Sequence, residues 1–326
     1  MTNSNKNSPL VSIVCTTYNH EKFIRQTIDG FLLQKTSFPL EIIIHDDASN
    51  DSTGEILKEY EEIYPNLFRN IYQKENIYSK GINIWSYLFS EKVRGKYIAL
   101  CEGDDYWTDP LKLQKQIDFL EDNRDYGLVY TKVREYLQSE NRLGHIFGGK
   151  YTSFIDILHY NPIPTLSVCF RKDLYFSYIN EILVYNNDWK MSDYPLWLYL
   201  SKNSKVKYMD FISGVYRVLD NSASHNLDVS KQLAHYSDGF QIADFYINKY
   251  TPENEILKFH FKVEHLWFCF RLFCIRKEWN LLLQMQNKLN RIKKINIKIS
   301  IMKATCLSHI LFILMHHYFL YRSQKK

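Results

Sequence analysis

Two phosphate-binding loops that define large enzyme classes are missing from this sequence of 326 residues. It contains neither the G-x-G-x-x-G pattern of a dinucleotide-binding turn nor a G-K-[ST] phosphate loop. Both patterns bring backbone N–H groups close to phosphate oxygens, so their absence disfavours a dinucleotide-dependent enzyme and a P-loop ATPase. Any phosphate bound by this chain would therefore need a cation in place of a glycine cradle.

Short paired cysteine spacings and an apolar run in the first ten residues are not seen either. The six cysteines show no short paired spacing, and Cys15 and Cys101 lie within apolar runs where a buried thiol is expected. The first ten residues, MTNSNKNSPL, lack the apolar core of a signal peptide. We therefore expect a cytoplasmic, reducing compartment, with neither disulfides nor a zinc site.

Acidic residues are absent from the C-terminal tail. Residues 291–326 hold eight Lys and Arg and no Asp or Glu, whereas the whole chain has a formal net charge of +5, so the remainder is net acidic. This distribution indicates an anionic partner at one end of the chain, and no nucleic acid is expected as a partner.

The same tail contains the apolar stretch CLSHILFILMHHYFLY, residues 306–321. It is shorter than the roughly 20 apolar residues that a membrane-spanning helix needs. Three alternatives remain: a buried core helix, a basic helix lying on an anionic membrane, or a true span.

Short apolar runs and amphipathic segments alternate along the first hundred residues. Strands are predicted at LVSIVCTTY, LEIIIHDD, FRNIYQ and KYIALCE, and amphipathic helices lie between them. This alternation predicts βαβ units, a mostly parallel sheet and an α/β fold. Ser52 followed by Glu55 has the spacing of a helix capping box. Further strands are expected at YGLVYTKVREY, within TLSVCFRKDLY and at VKYMDFISGVYRV, and the pattern becomes helical from about residue 230.

Polar clusters follow three of the predicted strands, at residues 16–19, 46–47 and 102–105. Ligands of such sheets bind outside the carboxyl ends of the strands. The three carboxylates of residues 102–105 either form a solvated turn or are ligands for Mg²⁺ or Mn²⁺, which would hold a diphosphate. Residues 46–47 likewise either form a turn or accept hydrogen bonds from a nucleotide.

Three segments in this order and spacing, VSIVCTTYNHEKFIRQTIDGFLLQ, LEIIIHDDASNDST and GKYIALCEGDDYWTDPLKLQKQIDFL, strongly resemble the family 2 glycosyltransferases. The resemblance implies a GT-A fold, an α/β/α sandwich around a mostly parallel sheet, over residues 1–225. Its nucleotide-sugar half would be about 9–125 and its acceptor half about 126–225. Residues 226–326 would form a helical C-terminal region.

The resemblance also implies roles for individual residues. Thr16 and Tyr18 resemble residues that line the nucleotide site, and Asp47 resembles the residue that contacts the base. Glu102 and Asp104 stand at the family's D-x-D position, with Asp104 as the metal ligand and Glu102 toward the ribose. We expect Asp105 to be a nucleotide-binding residue as well. The sequence departs from the family's D-x-D motif in having Glu at its first position.

Asp193, in SDYPLW, resembles the catalytic base of the family, although a helix cap is the structural alternative. If Asp193 is only a cap, Asp188 is the next candidate. Arg217 either steadies phosphate charge or forms a structural ion pair. In related sequences a His closely follows the dipeptide YR. In this chain Leu219 is near that position, and we interpret His225 as a surface residue.

These residues together imply a metal-dependent, inverting glycosyltransferase that uses Mn²⁺ or Mg²⁺ and a nucleotide sugar, with UDP as the expected nucleotide. The resemblance implies a glycan or lipid-linked saccharide acceptor in cell-surface polysaccharide or glycolipid synthesis. The expected location is cytoplasmic, with peripheral binding to the inner face of the plasma membrane. A non-catalytic binding module of the same fold and a nucleotidyltransferase are the alternatives.

Overall fold

The computed structural model of the chain describes residues 8–159, 161–185, 189–219, 228–292 and 296–324. The chain forms two compact units, Met1–Ser222 and Ala223–Lys326. The first unit is α/β and the second is helical.

The described part of the first unit contains nine strands and seven α-helices. The strands are β1 (Val11–Thr17), β2 (Leu40–Asp46), β3 (Ile71–Tyr72), β4 (Tyr97–Leu100), β5 (Tyr106–Trp107), β6 (Tyr126–Leu137), β7 (Arg142–Phe147), β8 (Cys169–Arg171) and β9 (Lys205–Val218). The helices are α1 (Ile24–Leu32), α2 (Thr53–Ile63), α3 (Ile84–Glu91), α4 (Lys112–Asp122), α5 (Phe154–His159), α6 (Lys172–Glu181) and α7 (Asp193–Asn203).

The strands form one sheet in the order β3-β2-β1-β4-β8-β6-β9-β5, and β7 pairs with β6. Strand β1 lies parallel to both β2 and β4, with Val11 opposite Leu40 and Tyr97. This arrangement confirms the α/β fold of GT-A type. Because β1, β2 and β4 run in the same direction, the residues that follow them meet at one edge of the sheet.

The second half of the sheet is mixed. Strand β6 pairs in parallel with β9 but antiparallel with β7 and β8. A short turn joins β6 to β7, and Asn141 in it takes the left-handed conformation, with φ 50°. Asparagine tolerates that region better than most residues, so the chain reverses within a few residues and adds an antiparallel strand.

The start of α2 differs from the expected capping box. The Ser52 side chain makes no capping hydrogen bond, and its N–H donates to Glu21 Oε2 over 3.0 Å. Asp51 Oδ1 accepts the N–H of Thr53 over 3.0 Å instead. The capping-box prediction was therefore wrong, because an acidic side chain one residue earlier caps the helix.

The second unit consists, in its described part, of α8 (Val229–Tyr250), α9 (Glu255–Arg276), α10 (Trp279–Asn290), α11 (Ile297–Cys306) and α12 (His309–Gln324). Its core draws on α9 to α12 and includes Phe270, Leu282, Met302, Phe312 and Phe319. The apolar stretch of the tail therefore contributes to a core. Among the described helices, none is both long and apolar enough to cross a membrane.

Candidate active site

The ends of β1, β2 and β4 are held together by backbone hydrogen bonds. The N–H of Gly103 donates to the carbonyl oxygen of Thr16 over 2.9 Å, and the N–H of Asp47 donates to that of Thr17 over 3.0 Å. The three polar clusters of the sequence therefore lie along one edge of the sheet. Thr16 is partly buried there, and the Tyr18 side chain is 43% exposed.

The loop after β4 gathers carboxylates in a site with little solvent. Glu102 and Asp104 are half-buried, and Asp105 is buried. Burial, and then the charges of Asp104 and Asp193, raise the pKa of Glu102 to about 8. Burial, and then the charges of Asp104 and Glu102, hold the pKa of Asp105 well above its usual range. Repulsion among these carboxylates therefore adds to the effect of burial at one shared site.

Asp193 begins α7 and belongs to the same electrostatic cluster. Its Oδ1 accepts the N–H of Tyr194 over 2.7 Å, and its Oδ2 accepts the Thr165 hydroxyl over 3.3 Å. Burial raises the pKa of Asp193, while these bonds and one from Asn161 oppose that rise. A carboxylate whose pKa is raised is better suited to accept a proton near neutral pH than an exposed one.

Arg217, in β9, is buried and holds the loop after β4. The backbone N–H of Arg217 donates to Asp105 Oδ1, and its side-chain Nε donates to the carbonyl oxygen of Asp104, both over 2.7 Å. Its two terminal nitrogens donate to Gln138 Oε1 over 2.6 Å and to Gln26 Oε1 over 2.7 Å. The guanidinium thus connects α1 and the residue that follows β6 to the carboxylate loop.

Three aromatic rings enclose the same guanidinium. The Arg217 Cζ atom lies 4.6 Å from the ring centroid of Phe23 and 5.4 Å from those of Tyr106 and Tyr136. Cation–π contacts of this kind stabilise a buried positive charge. Among the described residues, no salt bridge joins Arg217 to a carboxylate.

Asp47 accepts two backbone hydrogen bonds from the segment after β3. Its Oδ1 accepts the N–H of Ile77 over 2.8 Å, and its Oδ2 accepts the N–H of Tyr78 over 3.0 Å. The Asp47 side chain is buried, with 2% exposure. In this structure the carboxylate therefore fixes residues 77–78 beside the edge of the sheet.

Gly103 lies between Glu102 and Asp104 in a space too small for a larger residue. A Cβ atom there would lie 2.6 Å from Thr17 Oγ1 and 2.9 Å from His20 Nδ1. Both of those atoms are buried and have no hydrogen-bond partner. The glycine allows the carboxylate loop to pack directly against the end of β1.

The donor set fits a hard divalent cation. Carboxylate oxygens are the ligands that Mg²⁺ and Mn²⁺ prefer, and Glu102 and Asp104 supply them from one short loop. In the part of the chain that the structure describes, no group of three or more His, Cys, Asp or Glu side chains is arranged to hold a metal. Glu102 and Asp104 would therefore hold a cation together with ligands that the substrate supplies.

Sequence reasoning missed several neighbours of these residues. His20 directly follows the polar cluster at the end of β1, and that position was the available signal. No sequence pattern marks the other neighbours, because only the fold brings them next to Asp193 or Arg217. These neighbours are Thr165, Gln26 and Gln138. Asp188 and His225 lie outside the described residues.

Comparison with known proteins decides the family. The sequence model described as "Glycosyl transferase family 2" matches residues 12–175, half of the chain. The chain belongs to glycosyl transferase family 2. The matched segment runs from β1 into α6 and so includes all the carboxylates of the loop after β4.

Two relatives illustrate the extent of the likeness. This family 2 chain is 48% identical over 124 residues to an uncharacterized Mycobacterium tuberculosis protein, a match that covers 38% of this chain and 35% of the relative. The chain thus spans about a third of that relative's length. It is 29% identical over 223 residues to the Escherichia coli UDP-Glc:alpha-D-GlcNAc-diphosphoundecaprenol beta-1,3-glucosyltransferase WfaP, covering 67% of this chain and 80% of WfaP.

A solved structure shares the fold. The mannosyltransferase PcManGT from Pyrobaculum calidifontis, in complex with GDP-Man and Mn²⁺, superposes with a TM-score of 0.55 at 13% identity. The superposition covers 98% of this family 2 chain and 87% of PcManGT. At this identity the likeness shows the fold.

Proposed function

We propose that this family 2 chain transfers a sugar from a nucleotide-activated donor, with UDP as the expected nucleotide, to a glycan or lipid-linked acceptor. Inversion at the anomeric carbon is part of the proposal. The observation that carries it is the meeting of three polar clusters at the ends of β1, β2 and β4, which backbone hydrogen bonds from Gly103 to Thr16 and from Asp47 to Thr17 hold together. The charge of Asp193, from a distant part of the sequence, helps to raise the pKa of Glu102, and this supports a candidate base beside the proposed donor-binding loop.

The donor would bind beside the ends of β1, β2 and β4. Thr16, Tyr18 and Asp47 are the residues that we propose for the nucleoside, and Glu102 and Asp104 for the diphosphate with Mg²⁺ or Mn²⁺. A bound divalent cation would stabilise the negative charge that builds on the leaving diphosphate. PcManGT, which has the same fold and was solved with GDP-Man and Mn²⁺, supports a metal in this role.

Asp193 would accept the proton of the acceptor hydroxyl. The hydroxyl oxygen forms a bond to the anomeric carbon from the side opposite the nucleotide while the bond to the diphosphate oxygen breaks. The proton moves to Asp193 as the new bond forms. The hydrogen bonds from Tyr194 and Thr165 orient the carboxylate, and partial burial keeps its pKa raised for this task.

We assign the acceptor site to residues 126–225 and propose that the acceptor is a saccharide linked to a membrane lipid or a growing glycan. The name of WfaP, a UDP-glucose transferase acting on a diphosphoundecaprenol-linked sugar, supports this class. A lipid-linked acceptor would place the protein at the cytosolic face of a membrane.

Donor binding is the direct test. Thermal unfolding of the full chain would be followed with a panel of UDP-, GDP- and TDP-sugars, each with and without Mn²⁺. A ligand that binds only the folded state raises the unfolding temperature. We expect a UDP-sugar to do so in the presence of Mn²⁺, and slow release of UDP rather than pyrophosphate on prolonged incubation.

A substitution of Asp104 tests its assignment as a metal ligand. Asp104→Asn should abolish the Mn²⁺-dependent part of the stabilisation, because the amide cannot supply the same charge. Asp109→Asn, beyond β5 and bonded to Lys115, is the matched control and should behave as wild type. Wild-type Mn²⁺ affinity in Asp104→Asn, measured by calorimetry with UDP present, would contradict the assignment. Release of pyrophosphate would point to a nucleotidyltransferase instead.

A further inference from the structure

Helix α12 packs on the second unit through one narrow stripe. Phe312, His316 and Phe319, at spacings of four and three residues, are its buried members, each no more than 8% exposed. The Phe312 ring lies 5.2 Å from that of Trp279, and His316 Nδ1 lies 2.9 Å from the carbonyl oxygen of Cys274. These contacts fix which side of the helix faces the core.

The opposite side of α12 is apolar too. Leu311, Leu314 and Tyr318 recur at spacings of three and four residues, and they are 38%, 58% and 51% exposed. At about 100° per residue this outer stripe lies roughly opposite the buried one. A surface helix of a soluble domain normally carries polar residues on that side. The outer stripe therefore needs a partner surface of its own.

The outer stripe lies in a basic part of the chain. Arg322 is exposed beside it, and residues 291–326 contain eight Lys and Arg and no Asp or Glu. Leu307, just before the helix, is 75% exposed and extends the apolar surface. Apolar and tyrosine side chains in a basic part of the chain are complementary to the interface of an anionic lipid bilayer.

We propose that the outer stripe of α12, Leu311, Leu314 and Tyr318, is a docking face for an anionic membrane. The helix would lie in the plane of the interface, with its buried stripe still packed on the protein. A second copy of the chain is a poorer occupant, because a two-fold interface would bring Arg322 and the basic tails of both copies together. The inference deepens the proposed membrane setting, and it does not depend on glycosyl transfer.

Substitution tests this face better than truncation. Removing α11 and α12 would take Met302, Phe312 and Phe319 out of the core of the second unit and would unfold it. The double variant Leu314→Gln/Tyr318→Gln changes only exposed positions. The matched control is Ile63→Gln/Ile256→Gln, which removes two apolar side chains that are 65% and 77% exposed on α2 and α9.

Binding of the full chain to vesicles would be measured by co-sedimentation. The vesicles contain either phosphatidylcholine alone or roughly equal parts of phosphatidylcholine and phosphatidylglycerol. We expect wild type and control to bind the anionic vesicles, more weakly as salt is added, and to bind the neutral vesicles weakly. The α12 variant should bind the anionic vesicles about ten-fold less well or worse, because two large apolar side chains no longer enter the interface.

Two results would overturn the proposal. One is an α12 variant that binds anionic vesicles like wild type. The other is a wild-type chain that does not bind them but forms a dimer which the same substitutions dissociate, as light scattering would reveal. Release of UDP from a soluble UDP-sugar, measured on the same samples, separates this inference from the proposed activity. The α12 variant should keep that release unchanged, and loss of release in every sample would instead count against the proposed transferase.

Discussion

The backbone N–H of Arg217 donates a hydrogen bond to Asp105 Oδ1 over 2.7 Å, across 112 positions of sequence. The Arg217 guanidinium continues this contact to the carbonyl oxygen of Asp104. The residue proposed for phosphate binding therefore supports the loop that carries the carboxylates. Its influence on the reaction would pass through the position of Asp104, the proposed metal ligand.

Replacing Arg217 with Lys should weaken binding of Mn²⁺ and UDP. An ammonium group keeps the charge but cannot reach the Asp104 carbonyl, Gln138 and Gln26 together. We expect a loss of about 2–3 kcal/mol in the free energy of unfolding, and a clear loss of Mn²⁺–UDP affinity in the protein that remains folded. Calorimetry below the unfolding temperature would measure that affinity.

Arg171→Lys is the matched control for this experiment. Arg171 is also held by several hydrogen bonds, among them to the carbonyl oxygens of Tyr126 and Leu120. It pairs with Tyr97 at the beginning of β4, whereas the carboxylates follow the end of that strand. We expect similar destabilisation with unchanged Mn²⁺–UDP affinity. If both variants bind Mn²⁺–UDP with the same affinity, the role of Arg217 is purely structural.

Asp193→Asn should lower kcat while leaving donor affinity almost unchanged. The amide oxygen can still accept the N–H of Tyr194, so the start of α7 is preserved. The amide cannot accept a proton, and a positioned base contributes typically 10²–10⁴-fold, or about 3–5 kcal/mol of barrier. Asp228→Asn, at the N-cap of α8, is the control for loss of a capping carboxylate and should keep full activity. Near-normal turnover of Asp193→Asn with its acceptor would exclude it as the base.

Gly103→Ala should displace the carboxylate loop. The added methyl group would lie 2.6 Å from Thr17 Oγ1, closer than side chains tolerate. We expect a loss of about 1–3 kcal/mol in stability, together with weaker Mn²⁺–UDP binding. Gly54→Ala, in α2, meets only the Asp46 carboxylate at 3.2 Å and should be nearly neutral. A variant at Gly103 with wild-type stability and affinity would show that the loop can move away without cost.

Stability should rise with pH above about 8 because of Lys112. This lysine is fully buried in α4 with its ammonium 4.1 Å from the Trp107 ring centroid, and burial lowers its pKa from 10.5 to about 8. Between these pH values the unfolded chain binds the proton and the folded chain does not, so unfolding becomes less favourable as pH rises. Below pH 8 both states are charged and the folded state carries a cost of about 3 kcal/mol.

Lys112→Met should remove that cost and flatten the pH dependence. Denaturant unfolding at several pH values between 7 and 10.5 would measure both effects. Lys115→Met, on the same helix and exposed in a salt bridge with Asp109, should change stability by less than about 1 kcal/mol and leave the pH dependence as in wild type. Identical pH profiles for wild type and Lys112→Met would contradict the prediction.

The sequence alone was enough to place β1, β2 and β4 and the polar residues that follow them. Short apolar runs that are buried on both faces and joined by short connections depend on near neighbours, and those are visible in the chain. Two strands were missed: β5 has only two residues, and β7 is largely exposed and so lacks an apolar pattern. The parallel pairing of β6 with β9 was equally hidden, since no local signal links strands that far apart.

The tertiary structure decided what the candidate residues touch. The sequence named Asp47, Asp193 and Arg217, but only the fold gave them partners in Ile77, Thr165 and the Asp104 carbonyl. It also divided α12 into a buried and an exposed apolar side, two alternatives that the composition of the tail could not separate. The physical reason is the same in each case. Composition and periodicity record what each residue prefers, whereas burial and hydrogen bonding depend on which distant segments the packed core brings together.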